Sequence, residues 1–179
     1  MTDLRTPITN NDHVRGPAQA PITLVEYGDY ECPHCGAAHP VVNQVLQTLS
    51  GQIQFAYRHF PLVEMHPHAQ IAAESAEFAS AGGLFWEMHD ALFENQERLS
   101  IPTIFLLAED FGLPGTGLRN SLETGQFRNK VRNDFTSGVR SAVNGTPTFF
   151  INGVRHDGPY DFASLTSAIE QHIAADSHA

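Results

Sequence analysis

The sequence predicts an α/β protein, a small sheet interrupted by an all-helical insertion. Two observations carry that reading. Short runs rich in β-branched and aromatic residues, ITLVEYGDY, QIQFAYRHF and TFFI, mark strands near both ends of the chain. Between them, from about residue 66 to 142, apolar residues recur only at helical spacing.

The elements follow in order. Residues 1–20 read as an extended N-terminal arm, punctuated by Pro7, Asn10, Asn11, Gly16 and Pro17. ITLVEYGDY is the first strand. CGAAHPVVNQVLQTL continues as a helix, with Val42, Val45, Leu46 and Leu49 at helical spacing, a kink expected at His39-Pro40 and a stop at Gly51. QIQFAYRHF alternates at Ile53, Phe55 and Tyr57 and is the second strand. Strand, helix and strand with short joints form a βαβ unit with a parallel pair. The helical stretch then reads as about four helices, broken at Gly82-Gly83, Pro102 and Gly112 to Gly117. TFFI and VRH flank Asn152-Gly153, the strongest short hairpin signal. A last helix carries Phe162, Leu165, Ile169 and Ile173 on one face, with Asp161 as its cap. The predicted division is an arm at 1–20, a sheet domain from 21–62 plus 143–179, and a helical insertion at 63–142.

Composition excludes several functions. The formal net charge is -10, from 20 acids against 10 Lys plus Arg. That balance argues against a nucleic-acid backbone or an anionic membrane as partner. No apolar run approaches the roughly 20 residues of a membrane helix. The polar N-terminus has no apolar h-region, so no secretory signal is expected and the chain as given reads as cytoplasmic. A removed signal or anchor would make it periplasmic or otherwise extracytoplasmic.

The chemistry points to YECPHCGAAHP, which holds both cysteines, Cys32 and Cys35. Structural zinc needs four ligands, and no second cysteine pair exists to join these two. His39, His66 and His68 are read as solvated surface instead, and no metal is expected. A static disulfide across two residues closes a tiny loop and removes little entropy from the unfolded chain. A redox couple fits better. Cys32 sits where a strand ends and a helix begins, so its thiolate would face free backbone N–H groups and the positive end of the helix dipole. Pro33 suits the first helical position, where its missing N–H would have no partner. Cys35, one turn on, is placed to attack a mixed disulfide at Cys32. His34 can add a hydrogen bond or a positive charge; an exposed helix residue is the alternative. Phe85, Trp86 and Phe93 are read as core, which explains them more simply than the alternative of a groove near the site.

ECPHC after a strand, a helical block, and NGTPTFFING before a terminal helix together resemble the DsbA-like branch of the thioredoxin superfamily, from about residue 12 to the end. The resemblance implies a thioredoxin fold with an inserted helical domain. It implies that Cys32 is the exposed nucleophile and Cys35 the resolving thiol. It implies a cis bond at Thr146-Pro147 beside Cys32, with a strand edge there that an extended substrate segment can pair with. Relatives carry an acid six residues before the first cysteine, here Glu26, which could accept the Cys35 proton. Two departures stand out: the missing signal, and Thr146 where the best-known periplasmic oxidase has Val. The expected function is disulfide exchange with protein thiols and a further redox partner, without a cofactor and with its direction open. A peptide-binding module without redox turnover and a glutathione-linked transferase or isomerase are the alternatives.

Overall fold

The computed structural model describes residues 3–176. It contains a five-stranded sheet, in the order β1-β3-β2-β4-β5. The strands are β1 (His13–Arg15), β2 (Ile22–Gly28), β3 (Ile53–His59), β4 (Thr148–Ile151) and β5 (Val154–His156). Helix α1 (Pro33–Thr48) crosses from β2 to β3, which pair in parallel, as the βαβ reading requires. β4 runs antiparallel to β2 and β5 antiparallel to β4. Helix α7 (Phe162–Asp176) closes the chain.

Period two decides what each face of β2 meets. Ile22 and Leu24 join the larger core with Cys32, Cys35, Val42 and Val45 of the α1 region and Leu165 and Ile169 of α7. Val25 and Tyr27 face the other way, with Ala56, Phe60 and Phe150. Both faces are covered, so β2 is buried at every position but Thr23. Glu26 has the same parity as Ile22 and Leu24, which aims its carboxyl at the layer that holds the cysteines.

Five α-helices lie between β3 and β4: α2 (Ala69–Ala81), α3 (Phe85–Glu94), α4 (Ile101–Asp110), α5 (Gly115–Thr124) and α6 (Arg128–Arg140), with a 3-10 turn at Gln96–Arg98. The expected count was about four. The difference lies in SLETGQFRNKVR, where Gly125 takes a left-handed φ of 65° and its N–H bonds back to Leu122 O. That conformation ends α5 and separates it from α6.

The first twenty residues also depart from the expectation of an arm alone. His13–Arg15 forms an antiparallel edge strand on β3. Arg58 of β3 fastens the preceding segment. Its buried guanidinium donates to Asp12 Oδ1 at 2.7 Å and Oδ2 at 3.0 Å, to the carbonyls of Thr6 and Pro7, and to Tyr27 Oη. α1 runs unbroken through Pro40. Asn152 and Gly153 both take positive φ, 47° and 80°, the conformation of a two-residue hairpin turn. Asp161 Oδ1 accepts from Ser164 N at 3.1 Å, the expected cap of α7.

Candidate active site

Cys32 is the N-cap of α1, with extended φ and ψ of -74° and 120°, and Pro33 occupies the first turn. The chain therefore leaves β2, turns at Asp29–Glu31, and delivers Cys32 to a helix N-terminus. The Cys32 thiol is lowered to about 5. The Cys35 thiol contributes most, by hydrogen bonding to the sulfur; the Thr146 side chain and the N–H groups of Cys35 and His34 add to it against the cost of burial. Cys35 is 0% exposed, and burial pushes its thiol well above the ordinary value. The Asp29 N–H points at its sulfur, 3.5 Å away. The two sulfurs are thus unequal, one ionised at neutral pH and one protonated.

The resemblance implied an exposed nucleophile, and here the structure differs. Cys32 is only 4% exposed, while Pro33 and His34 beside it are open to solvent. The loop before β4 supplies the cover. Cys32 Sγ lies 3.4 Å from the Thr146 carbonyl oxygen, and the Thr146-Pro147 peptide is cis. Thr146 Oγ1 is buried and has no hydrogen-bond partner within normal geometry.

Glu26 is not a solvated residue at a sheet margin. It is 3% exposed, Oε1 has no hydrogen-bond partner, and burial raises its pKa to about 8, with the Cys32 charge adding to the shift. His34 Nδ1 lies 3.3 Å from Tyr160 Oη. Cys32 is thus followed in α1 by Pro33, His34 and Cys35, Glu26 of β2 is near enough for its carboxyl to respond to the Cys32 charge, and the carbonyl of Thr146, which precedes cis Pro147, meets the sulfur from the loop before β4.

Sequence reasoning missed the residues that hold this turn. Asp29 is buried, accepting from Glu31 N through Oδ1 and from Leu62 N and His66 Nδ1 through Oδ2, each at 2.8 Å. Glu31 accepts from His68 N at 2.6 Å and His68 Nδ1 at 2.8 Å. Gln96 Nε2, from the 3-10 turn, donates to the carbonyls of Tyr30 and Cys32 at 2.8 and 2.9 Å. Gly36 was the available signal, because a glycine inside a helix often marks a close approach. His66 and His68 are therefore committed to carboxylates rather than free at the surface. His39 is buried, 7% exposed, because it packs on Phe93 under α3. Phe85 and Phe93 lie in the core, and Trp86 is half-buried beneath Arg15.

This arrangement, a helix-capping cysteine facing a cis-proline with helices inserted after the βαβ unit, defines a thioredoxin fold of the DsbA-like kind. A family model described as Thioredoxin matches residues 8–171, and the chain belongs to that family. Among solved structures, oxidised BdbD from Bacillus subtilis superposes with a TM-score of 0.84 at 23% identity, covering 94% of this chain and 96% of that one. Alpha-DsbA1 from Wolbachia pipientis gives 0.81 at 21% identity, covering 96% and 95%. In sequence, the chain is 42% identical over 176 residues to a protein of Salinispora tropica named Na(+)/H(+) antiporter NhaA 3. That match covers 98% of this chain but 27% of the relative, so it speaks for a shared segment and not for transport. Among the described residues, no helix is long and apolar enough to cross a membrane.

Proposed function

We propose that the protein exchanges disulfides with other proteins through Cys32 and Cys35. The supporting observation is the inequality of the two thiols, about 5 for Cys32 and well above 9.0 for Cys35. In the reducing direction, the Cys32 thiolate attacks a substrate disulfide. One S–S bond forms at Cys32, and one substrate sulfur leaves as thiolate. Cys35 then loses its proton, attacks Cys32 and releases the second substrate thiolate, leaving the enzyme oxidised. In the oxidising direction a substrate thiolate attacks Cys32 of the disulfide, and Cys35 leaves and takes up a proton. Glu26, with a pKa of about 8, is mostly protonated at neutral pH and serves as the acid for that step and as the base for its reverse. The Thr146-Pro147 segment supplies the edge on which an extended substrate pairs.

Thiolate stabilisation bears on direction. Relative to a thioredoxin thiol near pKa 7, itself half ionised at pH 7, a value of about 5 favours the reduced form by about 2.3 kcal/mol there. For a two-electron couple this is about 50 mV, which moves a thioredoxin-like potential from about -270 to about -220 mV. Such a couple is mostly reduced in a glutathione-buffered cytosol and near balance in an oxidising compartment, so net oxidation of substrates calls for an extracytoplasmic setting. Insulin reduction tests the reading directly. Wild-type protein is expected to accelerate it, and Cys32→Ser to abolish the acceleration. Equal turnover by the variant, or none by the wild type, overturns the proposal and favours a peptide-binding module.

A further inference from the structure

The helical insertion meets α1 at a group of side chains that disulfide exchange does not use. His39 comes from α1, and His89 and Asp90 from α3. One ligand atom of each lies within 4.8 Å of the others. We propose that His39, His89 and Asp90 form a three-ligand site for a divalent transition ion, Zn²⁺ foremost, independent of the cysteines.

Four observations support this. The first is spacing. His39 Nε2 and Asp90 Oδ1 are 3.6 Å apart, too long for a hydrogen bond. Bonds of about 2.0–2.1 Å in a tetrahedron separate ligand atoms by about 3.3–3.4 Å, close to that gap. The second is an orphan atom: Asp90 Oδ1 is buried with no hydrogen-bond partner, while Oδ2 is held by Arg15. The third is an outer shell. Tyr30 Oη holds His89 Nδ1 at 3.0 Å, which leaves Nε2 for coordination. The fourth is access. The Asp90 side chain is 31% exposed, so an ion enters at that rim and keeps water as a fourth ligand. The Asn43 amide, 3.2 Å from His39 Nε2, is the contact that the ion displaces. Arg15 beside Asp90 opposes the added charge, which sets a moderate affinity.

A second histidine–carboxylate group fails the same test. Glu77 Oε1 accepts from His13 and His59 at 2.8 Å each, with Lys130 Nζ 3.8 Å away. Coordination by His59 Nε2 would put the proton on Nδ1, which is buried without a partner. That group is a hydrogen-bonded junction.

The test uses chelator-stripped, oxidised protein, so that no thiol competes. Zn²⁺ titration by calorimetry is expected to show one equivalent bound. The affinity should fall at least tenfold in Asp90→Asn and His39→Gln, and stay unchanged in His13→Gln. Co²⁺ added to the wild-type protein should give tetrahedral d–d bands, a readout that does not depend on any variant folding. Absence of binding and of those bands overturns the proposal. So does retention in Asp90→Asn and His39→Gln, or loss confined to His13→Gln.

Discussion

The side chain of Gln96 lies across Gly36: a Cβ built on that glycine would sit 2.1 Å from Gln96 Oε1. The 3-10 turn of the helical stretch thus reaches the cysteine-bearing turn where α1 has no side chain to keep it off. Gly36→Ala is expected to destabilise the protein by about 1–3 kcal/mol through this overlap. Gln96→Ala removes both bonds to the turn and is expected to cost about 1–3 kcal/mol. In the Gln96→Ala background the glycine substitution should change sign and stabilise by up to about 1 kcal/mol, because alanine favours the helix. Denaturant melts of the double-mutant cycle check this, and additive costs would refute it.

Thiol reactivity gives a second prediction. Alkylation of the reduced protein should titrate with a midpoint near pH 5, at Cys32 alone. Cys35→Ser should accumulate mixed disulfides with substrate proteins, whereas Cys32→Ser should not. Peptide mapping of the alkylated site and non-reducing gels provide the measurements.

Glu26 gives a third. Its folded pKa, about 8, is raised above the ordinary 4.5, so the folded state binds the proton more tightly. Stability from this group is full below about pH 4.5 and declines as pH rises through 8. At pH 7 the cost is about 3 kcal/mol. Glu26→Gln should therefore stabilise by about 2–3 kcal/mol at pH 7 and little at pH 4. The same variant should slow the Cys35 step, read as a longer-lived mixed disulfide. Melts at both pH values, with equal gains, would show that the carboxyl is not buried in its neutral form.

Arg58 gives a fourth. Arg58→Ala leaves Asp12, the Thr6 and Pro7 carbonyls and Tyr27 Oη without their shared donor. A loss of about 3–5 kcal/mol is expected, as for breaking a buried pair. Limited proteolysis should then cut first within residues 5–16, and protection there equal to wild type would contradict the fastening role.

Much of this was legible in the chain because local chemistry wrote it. β-branched and aromatic composition gave β2, period two gave β3, Asn152-Gly153 gave the hairpin, and the strand-to-helix junction with Pro33 gave Cys32 its setting. β1 is three residues long and defined by its partner Tyr57–Phe55 strand, so no local period announces it. The burial of His39 was hidden for a similar reason. On α1 alone it is a polar residue before a proline, and only the packing of α3 covers it. Asp29 at Leu62 and Gln96 at Tyr30 and Cys32 act on backbone atoms from afar, a role that no spacing in the chain encodes.

The unequal sulfurs have a consequence for timing. In the exchange proposed above, a substrate tethered at Cys32 would be released only when Cys35, whose thiol burial pushes up, loses its proton. That delay is a dwell time. During it, a second cysteine of the tethered chain competes with Cys35 for the same bond. A substrate whose partner cysteine is already near leaves with a new disulfide, while one without such a neighbour is let go reduced. Under that mechanism the burial of one sulfur would sort substrates by their own folding, with no recognition of their sequence.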